Sequence, residues 1–111
     1  MTQGARFSRR ASVDLDEAVS WLLDHGGSAR LATGLLRDVQ AAGALLAQRP
    51  GAGRFRPNLL PEPYRFWSLP RHRLLLVYDP TTDPVRVARI LSTSRDLEAL
   101  LADRAVMPDK P

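Results

Sequence analysis

The sequence predicts an α+β domain in which an antiparallel helix hairpin packs on one face of a mostly antiparallel sheet. Three observations predict it. A helical apolar period runs through residues 15–22 and again through 32–46. After Pro50 the chain changes to short apolar and aromatic runs separated by proline and glycine. The length, 111 residues, gives room for one domain and one core. The resulting order is β-α-α-β-β-β-α, with a core expected over 6–103 and a frayed tail from about Arg104.

Residues 6–11 form a short predicted edge strand with Phe7 as its large apolar residue. The first helix is expected to start at Asp14, with Glu17 at capping-box distance. Leu15, Ala18, Val19 and Leu22 then share one helical face, which Trp21 and Leu23 widen. Gly26-Gly27 ends that helix, and Ser28 can cap the next. So short a link permits only an antiparallel hairpin. Ala32, Leu35, Leu36, Val39, Ala42, Gly43 and Leu46 make the clearest stripe in the chain, and the small residues at 42 and 43 allow close approach of a neighbour. Arg49-Pro50-Gly51 stops the helix.

Gly51, Gly53, Pro57, Pro61 and Pro63 mark an irregular loop. Residues 64–69 are aromatic and strand-like, Pro70-Arg71-His72 reads as a turn, and 74–78 is a continuous apolar run of the kind a central buried strand carries. Residues 79–84 form a turn. Residues 85–91 alternate, Val85, Val87 and Arg89 against Arg86, Ala88 and Ile90. Thr93 and Asp96 have capping-box spacing ahead of a short helix with Leu97, Leu100 and Leu101 on one stripe.

Composition excludes several function classes. No apolar run approaches the roughly 20 residues that a membrane helix needs, and the first ten residues are polar and basic, so neither an anchor nor a secretory signal is expected. Without cysteine there are no disulfides or thiolate metal sites, and a reducing, cytoplasmic setting fits. His25 and His72 lie in different elements and the acids show no ligand spacing, so no metal and no cofactor is expected. Gly51-Ala52-Gly53 follows a helix instead of opening one, unlike a phosphate loop. No serine sits in a nucleophile motif.

Fifteen of the 16 basic residues are arginine, and they are unevenly spread. Residues 1–13 carry net +3 and residues 51–95 net +5, whereas 14–50 and 96–111 each carry −2. A localised basic surface suits an acidic or nucleic-acid-containing target, while a total of only +4 does not suit bulk coating of DNA. Arg54 and Arg56 lie in the Pro/Gly loop, where solvated charge is the ordinary reading.

Three stretches resemble one family. Leu46-Ala47-Gln48-Arg49-Pro50-Gly51-Ala52-Gly53 is similar to its exit from the second helix. Tyr64-Arg65-Phe66-Trp67-Ser68-Leu69, followed by Leu75-Leu76-Val77-Tyr78, is similar to its central hairpin. Val87-Ala88-Arg89-Ile90-Leu91, then Arg95-Asp96-Leu97, is similar to its last strand and helix start. In this order they resemble the RelE/ParE toxins of type II toxin–antitoxin systems, the ParE branch most closely, over about residues 9–103. Ser92 stands where the ParE pattern usually has histidine, so no role of that histidine carries over.

The resemblance implies a growth-inhibiting toxin with a role in plasmid stabilisation. ParE members inhibit DNA gyrase; RelE members cut mRNA in the ribosome. Both are neutralised by a cognate antitoxin in a hetero-oligomer. Arg65, Arg89 and Arg95 match recurrent arginines and become candidates for target contact through bidentate forks, with a structural ion pair of Arg89 to Asp96 or Glu62 as the other reading. A nuclease would need a general base and acid beside cations. The groups on offer are His72, Tyr78 and Glu62 with Arg65 and Arg89; arginine is a poor proton shuttle, and the stretch after Ser94 has no His, Tyr or Trp. The gyrase inhibitor is therefore the leading expectation and the ribosome-dependent nuclease the alternative. A third is a toxin fold that has lost toxicity. Trp21, Phe66, Trp67, Leu97 and Leu101 are candidates for antitoxin contact, each also readable as core.

Overall fold

The fold is that of a computed structural model, which describes residues 4–103, 106 and 107. Its elements are β1 (Arg6–Phe7), α1 (Arg9–Asp24), α2 (Ala29–Gln48), β2 (Arg65–Leu69), β3 (Leu74–Asp79), β4 (Arg86–Ser92) and α3 (Leu97–Ala102), in the expected β-α-α-β-β-β-α order. The sheet order is β1-β4-β3-β2, with β1 parallel to β4 and the other pairs antiparallel.

The edge strand is shorter than expected and α1 begins earlier. Ser8, not Asp14, is the N-cap. Its hydroxyl accepts the Ala11 N–H at 3.0 Å and donates to the Ala88 carbonyl at 2.7 Å, while its own N–H reaches the Val87 carbonyl at 2.9 Å. One serine thus ends β1 and starts α1. Asp14 falls one turn inside the helix and is buried.

At the hairpin, Gly26 takes φ 88° and the Gly27 N–H donates to the Leu22 carbonyl at 2.8 Å, a Schellman closure that suits a residue without Cβ. Ser28 caps α2 as expected. Ala32, Leu35, Val39, Ala42, Gly43 and Leu46 are its buried face, and the Ala5 N–H donates to the Gly43 carbonyl, so the chain start does cross the helix at its small residues. Leu36, expected in this stripe, is instead 39% exposed, because the sheet covers only the arc centred on Leu35, Val39 and Leu46.

The sheet is buried on both faces. Leu74, Leu76, Tyr78, Val85, Val87 and Ile90 meet the helix hairpin. Leu75, Val77, Phe66 and Leu91 meet Leu59, Leu60, Tyr64 and the stripe of α3. Asp96 caps α3 by accepting the Ala99 N–H at 3.1 Å, in place of the expected Thr93. The tail expected to fray from Arg104 lies mostly outside the described residues; Val106 and Met107 pack against this second cluster.

A bulge at Ala88 breaks the expected alternation of β4. Arg89 pairs with Val77 while Val87 pairs with Tyr78, so Ala88 has no partner across the strand pair. Directly opposed residues share a face. The bulge therefore moves Arg89 off the Val85/Val87 face, where simple alternation put it, and onto the face of Val77.

Candidate functional site

Three groups of polar side chains stand out, and each has been claimed by the fold. The first is at the free edge of β4. Strand β1 pairs only with Arg86 and Val87, which leaves the Ile90 N–H without a strand partner. Asp14 supplies one: its Oδ2 accepts that N–H at 2.9 Å. The same carboxylate takes the Arg89 fork, Nε at 2.8 Å and Nη2 at 3.0 Å. Nη1 of Arg89 donates to the Val106 carbonyl. Arg89 is 4% exposed, so its charge and donors are spent inside the molecule. It is the expected structural ion pair, but with Asp14 and not with Asp96 or Glu62.

The second group sits where α2 leaves the core. Tyr78 Oη donates to the Pro50 carbonyl and accepts the Gly53 N–H, both at 2.7 Å. Burial pushes the Tyr78 phenol above its ordinary pKa, which keeps the proton in place. Arg65 Nη1 donates to the Gly53 carbonyl at 2.8 Å, and its guanidinium lies 3.9 Å from the centre of the Phe55 ring. Arg54 and Phe66 exchange backbone hydrogen bonds at 2.9 and 2.8 Å, which closes the β2 edge at that point. Residues 50–56 are thereby strapped to the sheet, with Arg49, Arg54, Phe55 and Arg56 exposed.

The third group joins the β2–β3 turn to α2. His72 Nε2 lies 2.7 Å from Asp38 Oδ2, with Arg71 at 3.8 Å. The His72 contact holds the Asp38 carboxyl below the usual aspartate range, helped by Arg71 and Arg37. A carboxylate with a depressed pKa stabilises the fold above its unfolded value and loses that contribution as pH falls through the folded value. The stability difference between the native chain and Asp38→Asn should accordingly be present at pH 5 and shrink to nothing well below pH 4. Urea unfolding at a series of pH values measures this, and a difference that persists unchanged at the acid end would contradict it.

The structure scatters the residues a nuclease would need. Tyr78 and Arg65 are together but bonded to the strap, His72 is on α2's side of the turn, Glu62 is exposed, and Arg89 is buried at the opposite edge of the sheet. Arg95 is exposed at the head of α3. Among the described residues no three His, Asp or Glu side chains gather as metal ligands would.

Of the five candidates for partner contact, Trp21 is the open one, 62% exposed and stacked on His25 with ring centres 4.1 Å apart. The His25 Nδ1 lies 2.8 Å from the Trp21 carbonyl. Leu97 and Trp67 are half-buried, whereas Phe66 and Leu101 are core residues, because the 59–64 loop and Val106–Met107 cover the sheet face they occupy. Leu23, Leu31 and Leu36, which the candidates omitted, are exposed on the hairpin. Leu36 was hidden by its place in the helical stripe; only the width of the covering sheet reveals it.

No curated protein matches the chain. A family model described as ParE toxin of type II toxin-antitoxin system, parDE, matches residues 5–97.

Proposed function

The chain belongs to the ParE toxin family of type II toxin–antitoxin systems, and from that premise we propose that it inhibits DNA gyrase by binding, without chemistry of its own. A toxin of such a system has a cognate antitoxin as its partner. What supports binding over catalysis is the commitment of Tyr78 and His72 to fold contacts, with Glu62 exposed and apart from both. Tyr78 spends its hydroxyl on Pro50 and Gly53, and His72 faces Asp38. A general acid or base must reach a reacting atom within hydrogen-bond distance, and these groups would first have to leave their partners.

The antitoxin covers the helix hairpin in this reading. Trp21, Leu23, Leu31 and Leu36 expose apolar surface there that the toxin does not bury itself. Gyrase and antitoxin are met in the cytoplasm; among the described residues no helix is long and apolar enough to cross a membrane.

Supercoiling by purified gyrase should stop when the chain is added in stoichiometric excess, and should resume when the antitoxin is added. Unimpaired supercoiling at excess toxin would reject the proposal. New cleavage sites in translated mRNA, read by primer extension, would move the assignment to the ribosome.

A further inference from the structure

We propose that residues 49–56, with Arg65, form a binding strip for a single-stranded polynucleotide, whose phosphates meet the arginines and one of whose bases stacks on Phe55. The inference does not depend on the gyrase reading, because the strip's ligand is the strand itself.

Charge is the first observation. From Val39 to Pro61 the chain contains no acidic residue, and Arg49, Arg54 and Arg56 within that span are all exposed. Arg65 joins them across the strap through the Gly53 carbonyl. Asp79, at the neighbouring end of β3, is turned to its own loop, where its Oδ1 accepts the Thr81 N–H at 2.9 Å and hydroxyl at 2.6 Å.

Order is the second. The strap is fixed at Pro50 and Gly53 by the buried Tyr78 hydroxyl, and at Arg54 by its backbone exchange with Phe66. Arginines on a fixed backbone lose less freedom on binding than arginines on a loose loop. Guanidinium groups also match phosphate oxygens as a planar fork.

The aromatic ring decides the ligand class. Phe55 is 42% exposed and lies between two exposed arginines in sequence, with the Arg65 guanidinium against its ring. A partner read through phosphate alone would make no use of that ring. A cationic strip interleaved with an exposed aromatic is what unstacked bases on a flexible backbone require.

The test is fluorescence anisotropy of the purified chain with labelled 20-mers of oligothymidylate and oligouridylate, over a series of salt concentrations. Arg54→Ala/Arg56→Ala should weaken binding and make the logarithmic salt slope shallower by about 1.4, as expected for two phosphate contacts on a single strand. Phe55→Ala, which leaves the charge unchanged, should weaken binding about fivefold or more, the size of one base–aromatic stack. Arg30→Ala/Arg37→Ala removes the same charge from exposed positions of α2 and should change binding less than twofold. Equal binding of the two oligomers marks recognition of the shared phosphate and base; preference for one identifies that strand as the source. Equal losses in the two double variants, or no loss in Phe55→Ala, would overturn the proposal. All the substituted side chains are exposed, and a thermal melt of each variant confirms that it is folded.

Discussion

Asp14→Ala should destabilise this protein by about 3–5 kcal/mol, the usual cost of leaving one member of a buried ion pair without the other. The size follows from how much converges on that carboxylate. It takes two nitrogens of Arg89, a residue 4% exposed, and the Ile90 N–H at the open edge of β4. Alanine strands a buried guanidinium and a buried backbone donor together. Domains of this size have stabilities of roughly 5–15 kcal/mol, so the loss is a large share of the total. Urea unfolding measures the loss directly. Arg89→Met alone should also be damaging, since it leaves the buried Asp14 with only the half-exposed Arg10, 3.5 Å away, as its cation. Combining it with Asp14→Ala should cost much less than the sum, because no unpaired charge then remains. A loss under about 1 kcal/mol in Asp14→Ala, where a surface pair would fall, would show that the pair is not closed off from water.

Gly53→Ala should destabilise by about 1–3 kcal/mol, the range for forcing extra atoms into a filled site. A Cβ there would stand 2.6 Å from both Cε1 and Oη of Tyr78 and 2.7 Å from the Phe66 carbonyl oxygen. None of these can yield cheaply: the phenol is buried and bonded to Pro50, and the carbonyl is held by the Arg54 N–H. Gly51, two residues earlier, has open space around its Cβ position, so Gly51→Ala should leave stability nearly unchanged. Tyr78→Phe approaches the same strap from the other side. It removes one donor and one acceptor from the Pro50 carbonyl and the Gly53 N–H, a cost of about 1–3 kcal/mol when the groups left behind are buried. Urea midpoints for the three variants, with amide exchange at Gly53, would check the series. Unaltered exchange in Gly53→Ala would mean that the strap tolerates the added carbon without moving.

Several parts of the candidate site could be read from the residues. The loop that exits α2 was visible from Arg49-Pro50-Gly51, and its arginines from the concentration of positive charge after Gly51. Arg89 is legible in the sequence as a candidate, and so is an ion pair as its alternative role. The identity of its partner was not visible, since Asp14 lies 75 residues away and looks locally like a helix cap. Ala11, however, sits four residues before Leu15 and extends the helical stripe backwards, a local signal against Asp14 as the cap that the capping-box spacing of Asp14 and Glu17 masks. The bulge at Ala88 left no local mark: Val85–Leu91 alternates as an unbroken strand would.

By itself the sequence determined the element order, the two-helix hairpin and the buried central strand, because each is set by local periodicity, caps and turn residues acting over fewer than about twenty positions. The tertiary structure alone decided which polar groups are available. Whether Tyr78, His72 or Arg89 faces solvent depends on partners 28, 34 and 75 residues distant that close over them, and burial is a property of that assembled surface rather than of any stretch of chain.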